Sequence, residues 1–409
     1  MILRTAGASG LALSHSETMS PEPVNDSPGQ GAQPPKLVLV SLAIRSFRNI
    51  ARVDLAPSPR FNVVSGQNGQ GKTSLLEAIY FVATSRSFRT HRLSELLSHG
   101  ASAASVRAGF IEDPEGSGFP PLAREQLAAI DGSRCSVRID GARPPTLAAF
   151  ATRSPVIAFH PEEMALSTGP AALRRTLLDR LALFTSVEAA DHRARYERAL
   201  KARQELLRRP GSGSSGAAEI DAFESLAARH GAALTRARSA AATALIAELT
   251  DAFARIAAPD LLLAARYSPG GTPDEAEALT ELRAARRTDA LRPAASFGPH
   301  RDDLVLSLDG RRARVVASQG QHRAITLALK AAEVATIGRA RGVCPVLLLD
   351  DVSSELDAER TDALFSFLTE QRGQIFVTTT RRPLIALPAP LEGAEKHFTV
   401  RAGQVCEEP

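Results

Sequence analysis

The sequence predicts an α/β fold: a two-lobed, mixed or parallel sheet carrying a phosphate-binding loop, with a helical arm inserted between the lobes. Three observations predict it. A short apolar strand, residues 60–65, runs into the glycine-rich stretch at 66–73 and out into an apolar helix. A second apolar strand, Val346-Leu347-Leu348-Leu349, ends in Asp350 and Asp351. Between them, from about residue 173, lie long stretches rich in Ala, Leu, Arg and Glu.

Residues 1–36 are rich in Ser, Gly and Pro and have no continuous apolar core, so they predict a disordered extension and not a signal peptide. A start at Met19 or beyond fits the same composition. Residues 37–172 are expected to form the first lobe. In it, Gly66, Gln67, Asn68, Gly69, Gln70, Gly71, Lys72, Thr73 and Ser74 form the nucleotide-binding loop. The glycines reach backbone angles closed to other residues, so successive N–H groups can turn inward around phosphate oxygens. The following helix adds its unpaired amides and partial positive charge. Lys72 is placed to reach the β- and γ-phosphates of ATP, and the Thr73 hydroxyl to ligate Mg²⁺. Strand, glycine-rich turn and helix together make a chance match improbable.

Pro-rich stretches at 114–121 and 141–145 predict turns between short strands. The arm is expected over 173–290, with a flexible tip at 210–217 and a second helix over about 217–257. No heptad pattern is sustained along it, which argues against a long coiled coil. The second lobe, 291–409, holds the remaining motifs. Ser318, Gly320 and Gln321 open an alanine-rich helix whose Ile325, Leu327, Leu329 and Ala332 supply an apolar face, with Gly342 as its stop. Taken alone, Ser318 reads as an ordinary helix N-cap. The downstream strand reverses that preference. Its unbroken apolar run suits a strand covered on both faces, and its carboxyl end is where open α/β sheets place ligands. Asp350 then partners Mg²⁺, directly or through its bound water, together with Thr73, and Asp351 orients or polarises an attacking water. Lys72, Asp350, Asp351 and Ser318 are the expected catalytic set. Their order and separation fit an ABC-type ATPase head, in which Ser318 closes over the γ-phosphate held by a second copy.

These segments resemble the RecF family of recombination mediators, related to SMC-type ATPases, over residues 37–381. The resemblance rests on Leu42-Ala43-Ile44-Arg45-Ser46-Phe47-Arg48-Asn49, the phosphate loop, Arg86-Ser87-Phe88-Arg89-Thr90, and the Gly298-Pro299-His300-Arg301-Asp302-Asp303 block. Ala317-Ser318-Gln319-Gly320-Gln321 and the run 347–357 complete it. It implies a weak, DNA-stimulated ATPase that forms a homodimer on ATP. It also implies binding to single-/double-strand junctions and gapped DNA, and work with RecR and RecO in loading RecA. The loop Ser353-Ser354-Glu355-Leu356-Asp357 would let paired sites sense each other. Two departures stand out: His160 or Glu162 occupies the usual glutamine position, and Thr378-Thr379-Thr380 the place of a late histidine.

Lysine is confined to Lys36, Lys72, Lys201, Lys330 and Lys396, and net charge is +4, so basicity is carried by arginine. Candidate DNA contacts are Arg86 and Arg89 after the loop helix. On the arm, Arg193, Arg195 and Lys201 fall among a wider basic set that includes Arg174 and Arg203. The alternative for the arm is a solvated face of i,i+4 ion pairs. Aromatic residues are sparse and tryptophan is absent, which argues against base stacking. No apolar run is long enough to span a bilayer. Cys135, Cys344 and Cys406 show no metal or redox spacing and fit a reducing, cytoplasmic setting. A transporter-type subunit and an SMC-like nuclease-associated ATPase are the competing readings. The Ser-Gln-Gly-Gln signature and the Gly298 block argue against the first, and the short arm against the second.

Overall fold

The structure, a computed structural model, describes residues 36–113, 120–208, 214–256, 261–292, 294–351, 373–380 and 395–408. All fall in one compact unit, Pro34–Pro409. The extension, the residues of the arm tip at 210–213 and the loop at 353–357 lie outside the described residues.

Along the chain, β1 (Lys36–Phe47) and β2 (Ile50–Leu55) form a hairpin, and β3 (Phe61–Ser65) leads into α1 (Lys72–Thr84). Then come β4 (Ala103–Asp113), β5 (Leu122–Asp131), β6 (Arg134–Ile139), α2 (Leu147–Ala151), β7 (Val156–Phe159) and α3 (Ala165–Thr168). The long helices are α4 (Ala171–Thr185), α5 (Ala189–Leu207) and α6 (Ser214–Ile256). They are followed by β8 (Leu263–Ser268), α7 (Glu275–Ala284), α8 (Arg286–Ala290), β9 (Asp303–Leu308), β10 (Arg311–Arg312) and α9 (Ala313–Val316). The chain closes with α10 (Gln319–Arg341), β11 (Val346–Leu349), β12 (Ile375–Thr379), β13 (Glu395–Arg401) and β14 (Gln404–Glu408).

The central sheet has the order β14-β13-β3-β12-β11-β7, parallel except for β14 at its edge. Every residue of β7, β11 and β12 is buried, as an all-apolar run predicts. Period-two alternation divides those runs between two cores. Val64, Leu348 and Phe376 point to one side, where α1 packs under the antiparallel sheet β2-β1-β4-β5-β6. Val63, Leu347, Leu349 and Val377 point to the other, packing with α4, α6 and α10. Two helical layers therefore clamp the strand ends that carry the motifs.

The described part of 173–290 carries helices α4 to α8 and one strand, β8, which pairs antiparallel with β9 from Leu263↔Leu308 to Ser268↔Asp303. The Gly298 block lies at this junction and acts as a fastening. Asp302, fully buried, accepts from Arg238 at 2.9 Å, from the Tyr267 hydroxyl at 2.6 Å and from the Gly270 N–H at 2.8 Å. Arg174 forks onto Asp303 at 2.7 and 3.1 Å. Burial and the Asp302 carboxylate push the Tyr267 hydroxyl above its ordinary value.

Two expectations for the arm surface are corrected. Arg174 and Arg203 are buried, not available to DNA. Arg203 sits between α5, α6 and α8, donating to Glu224 at 2.9 Å, Asp289 at 2.7 Å and the Leu282 carbonyl at 2.6 Å. Sequence spacing could not reveal this, because both acids lie on later helices. Replacing Arg203 with Met leaves the buried Asp289 carboxylate without a cation, while Glu224 keeps Arg286. The expected cost is about 4 kcal/mol, read as a lower urea midpoint, since breaking one side of a buried ion pair leaves uncompensated charge.

Candidate functional site

The site begins where β3 ends. Gly71 sits at φ +120°, and a Cβ there would meet the Asn49 side chain at 2.9 Å, so both backbone angle and space require glycine. Asn49 holds the loop in turn, its Nδ2 donating to the Gln70 carbonyl at 3.0 Å. The Gly403 N–H donates to the same carbonyl at 2.9 Å, and the Gln70 side chain accepts from the Ala402 N–H at 2.6 Å. The β1–β2 and β13–β14 turns thus brace the loop from behind. Neither turn was singled out by sequence reasoning. Asn49 lies within a segment that carries the family resemblance, and nothing local marks residues 402 and 403.

Helix α1 begins at Lys72 with no side-chain cap and no acid in its first turn. Its opening N–H groups and the positive end of its dipole are left to an anion. Gln67, Asn68 and Gly69 are exposed at the rim, while Lys72 and Ser74 are buried. Lys72 Nζ folds over the loop, donating to the carbonyls of Gly66 at 2.7 Å and Gln67 at 3.1 Å. Burial lowers the pKa of its ammonium, and the charges of Asp351 and Asp350 oppose that.

Thr73 and Asp350 meet directly. The Thr73 hydroxyl lies 3.0 and 2.9 Å from the two Asp350 carboxylate oxygens, across 277 residues of chain. The Thr378 hydroxyl donates to Asp350 at 2.9 Å and accepts from the Asp351 N–H at 2.8 Å. Burial raises the pKa of Asp350, while hydrogen bonds from Thr378 and Thr73 oppose the rise. Asp351 adopts a left-handed backbone, φ +52°, which turns the chain off the strand end. In sequence, Thr378 stands out only as occupying the place of a late histidine. The parallel register of β11 and β12, pairing Leu349 with Val377, is what sets it beside Asp350.

A hydroxyl and a carboxylate converging beside an uncapped helix end form a hard-oxygen donor set that fits Mg²⁺. The loop amides and Lys72 fit a polyphosphate. These are the residues that would hold the two groups.

Ser318 stands apart from this cluster in its bonding. It caps α10 in a complete capping box: its Oγ accepts from the Gln321 N–H at 3.2 Å, and its own N–H donates to Gln321 Oε1 at 2.7 Å. The cap that sequence alone favoured is present. Gly320 lies in the first turn, where no acid occurs. Behind the turn, His322 Nδ1 contacts Ser167 Oγ at 2.7 Å, tying α10 to α3. Replacing Ser318 with Ala should cost about 1 kcal/mol by losing the cap, measured by thermal denaturation.

The basic loop after α1 is anchored by a buried acid. Glu77, fully buried on α1, receives Arg48 at 2.8 and 2.9 Å and the Ser87 hydroxyl at 2.5 Å. Arg89 stands 3.6 Å from the same carboxylate and is 44% exposed, so its charge is partly spent inside the protein. Arg86 is exposed. Phe88 stacks on His160 with centroids 5.0 Å apart, and burial holds that histidine's pKa down. On the arm, Arg193 pairs with Glu197 at 2.8 Å and Asp179 at 3.3 Å, and Arg195 pairs with Asp191 at 2.7 Å. Lys201 is exposed on the same helix.

Among the described residues, no helix is long and apolar enough to cross a membrane. The family described as RecF/RecN/SMC N terminal domain matches residues 38–393. A curated relative from Anaeromyxobacter sp. (strain Fw109-5), named DNA replication and repair protein RecF, is 40% identical over 90% of this chain and 98% of its own. The solved structure of the recombination mediator protein RecF-ATPrS superposes with a TM-score of 0.81 at 23% identity, covering 92% of this chain and 100% of that one. An SMC head domain from Pyrococcus furiosus, 17% identical, superposes with a TM-score of 0.52 over 91% and 96% of the two chains. An SMC-like ATPase-head fold with a braced phosphate loop, and identity at this level along nearly the full length, place the chain in the RecF family of DNA replication and repair proteins.

Proposed function

We propose that this protein is an ATP-switched recombination mediator. ATP joins two copies on single-/double-strand junctions of gapped DNA, slow hydrolysis releases them, and the bound state assists RecA loading with RecR and RecO in the cytoplasm. The observation that carries the reading is the meeting of Thr73 with both oxygens of Asp350 beside Lys72. Lys72 leaves the Gly66 and Gln67 carbonyls to take the β- and γ-phosphates, and the loop amides orient them. Mg²⁺, when bound, neutralises phosphate charge. Asp350 and Thr73 hold it, Thr378 keeps Asp350 in place, and Asp351 accepts a proton from the attacking water. Ser318 and the first turn of α10 meet the γ-phosphate of the second copy. Hydrolysis is weak and DNA-stimulated. Arg86, Lys201 and, where their ion pairs open, Arg89, Arg193 and Arg195 contact the DNA backbone.

The capping box makes Ser318→Arg a clean test, because a long cation at the helix start obstructs closure without touching the phosphate loop. Binding of a fluorescent ATP analogue by the monomer should stay within about twofold, and the dimer should be lost in light scattering. A normal ATP-dependent dimer removes Ser318 from the interface. Backbone binding further requires that affinity for gapped duplex fall by about a thousandfold or more between low and moderate salt.

A further inference from the structure

The end of α10 farthest from Ser318 opens onto a different kind of surface. Helix α10 is 23 residues long, so about 33 Å of helix separates its signature turn from Arg341. There, a cleft of about 470 Å³ lies among the β6–α2 segment, the two residues following α2 and the α4–α5 turn. Arg143, Arg153 and Arg341 line it, and most of the remaining wall is apolar, including Ile139, Pro145 and Val187.

Among the described residues, the charge there is not balanced. Behind the cleft, Arg124 is buried and lies 2.8 Å from Glu112, and Arg341 stands 4.0 Å from that same carboxylate. One acid thus serves two guanidinium groups. Arg124 Nε and Arg341 Nε are buried with no hydrogen-bond acceptor among the described residues. The side chains of Arg143 and Arg153 have no hydrogen-bond or ion-pair partner among the described residues. Burial pushes the Arg124 guanidinium below its ordinary value; the Glu112 charge opposes this, and the Arg153 and Arg341 charges add to it. Among the described residues, Arg124 and Arg341 share the one acid Glu112, and Arg153 and Arg143 add two further guanidinium groups at the cleft, an excess of positive charge.

We infer that this cleft is a docking site for an acidic peptide segment of a protein partner, one that places carboxylates on Arg143, Arg153 and Arg341 and an apolar side chain against Val187 and Pro145. Val187 is 95% exposed, an apolar residue left open beside unpartnered arginines. A polynucleotide backbone would use the arginines but not the apolar wall, whereas an acidic segment with an aliphatic residue uses both. Arginine suits the role because its planar fork takes carboxylate in paired hydrogen bonds. None of the residues lining the cleft belongs to the phosphate loop, Thr73, Asp350 or Asp351.

The test uses the full-length protein and fluorescence anisotropy with a labelled glutamate-rich peptide carrying a single leucine. Parallel titrations use the same peptide with glutamine at every glutamate, and an oligothymidylate of matched length. The acidic peptide should bind and the glutamine peptide should not. Arg143→Glu with Arg153→Glu should weaken it by about tenfold or more, and Val187→Ser should weaken it with the charges intact. Melting temperature and binding of a fluorescent ATP analogue should remain at wild-type values, which separates lost docking from lost folding. Arg143→Glu alone, at an exposed position, serves if the double variant fails to fold. The inference is overturned if the two peptides bind alike, or if charge reversal leaves the acidic peptide's affinity unchanged. It is equally overturned if only the oligothymidylate responds to the arginine variants.

Discussion

Lys72→Met is expected to abolish nucleotide-dependent assembly. The ammonium is the one side-chain cation on the loop, and in this structure it bridges the Gly66 and Gln67 carbonyls at 2.7 and 3.1 Å. Methionine keeps the bulk and apolar stem but donates nothing. Charge-assisted hydrogen bonds contribute about 1.5–3 kcal/mol each, so the affinity for ATP should fall by about tenfold to a hundredfold. The dimer, which depends on that affinity twice, should vanish at ordinary protein concentrations. The fold itself should tolerate the change, because α1 is held by Leu75, Leu76, Ile79 and Phe81 in the core. Isothermal titration with ATP and a melting curve separate the two effects. Wild-type ATP affinity in this variant contradicts the role given to the loop.

Asp351→Asn is expected to do the opposite to the dimer. It retains shape and hydrogen bonding but cannot take a proton. A positioned general base contributes about 10²–10⁴ in rate, so turnover should drop by that order while ATP binding persists. ATP-bound dimers should then accumulate and stay on DNA. The backbone supports separating Asp351 from its neighbour: Asp350 is tied by its carboxylate to Thr73 and Thr378, whereas the Asp351 N–H makes the bond to Thr378. Asp350→Asn should therefore weaken Mg²⁺-dependent ATP binding as well, while Asp351→Asn should not. Phosphate release and filter retention of labelled ATP read the two quantities independently. Unchanged turnover in Asp351→Asn removes it from the catalytic set.

The central part of this architecture was legible because each of its signals is local. An all-apolar run ending in carboxylates marks a buried parallel strand, and β11 is buried at every position. Serine with Gln three residues later marks a helix start, and Gly342 at φ +62° ends the same helix. The side chains that hold the site in place were not legible. Thr378 and Asn49 reach their partners only through sheet register and turn contacts, and Glu77 looks like any polar residue on a helix until its burial is seen. Arginines were the weakest guide. Arg86, Arg174, Arg193 and Arg203 have the same chemistry, yet one is exposed, one is paired on a helix face and two are buried in ion-pair clusters. Only long-range partners such as Asp289 and Asp303 decide which.

Sedimentation velocity of the purified protein, with ATP, ADP or no nucleotide and with or without gapped duplex, decides whether ATP switches it from monomer to dimer. The expected result is a monomer without nucleotide or with ADP, and a dimer with ATP that is retained on the DNA. A monomer that binds ATP but never dimerises, on DNA or off it, contradicts the trans role of Ser318 and the switch built on it.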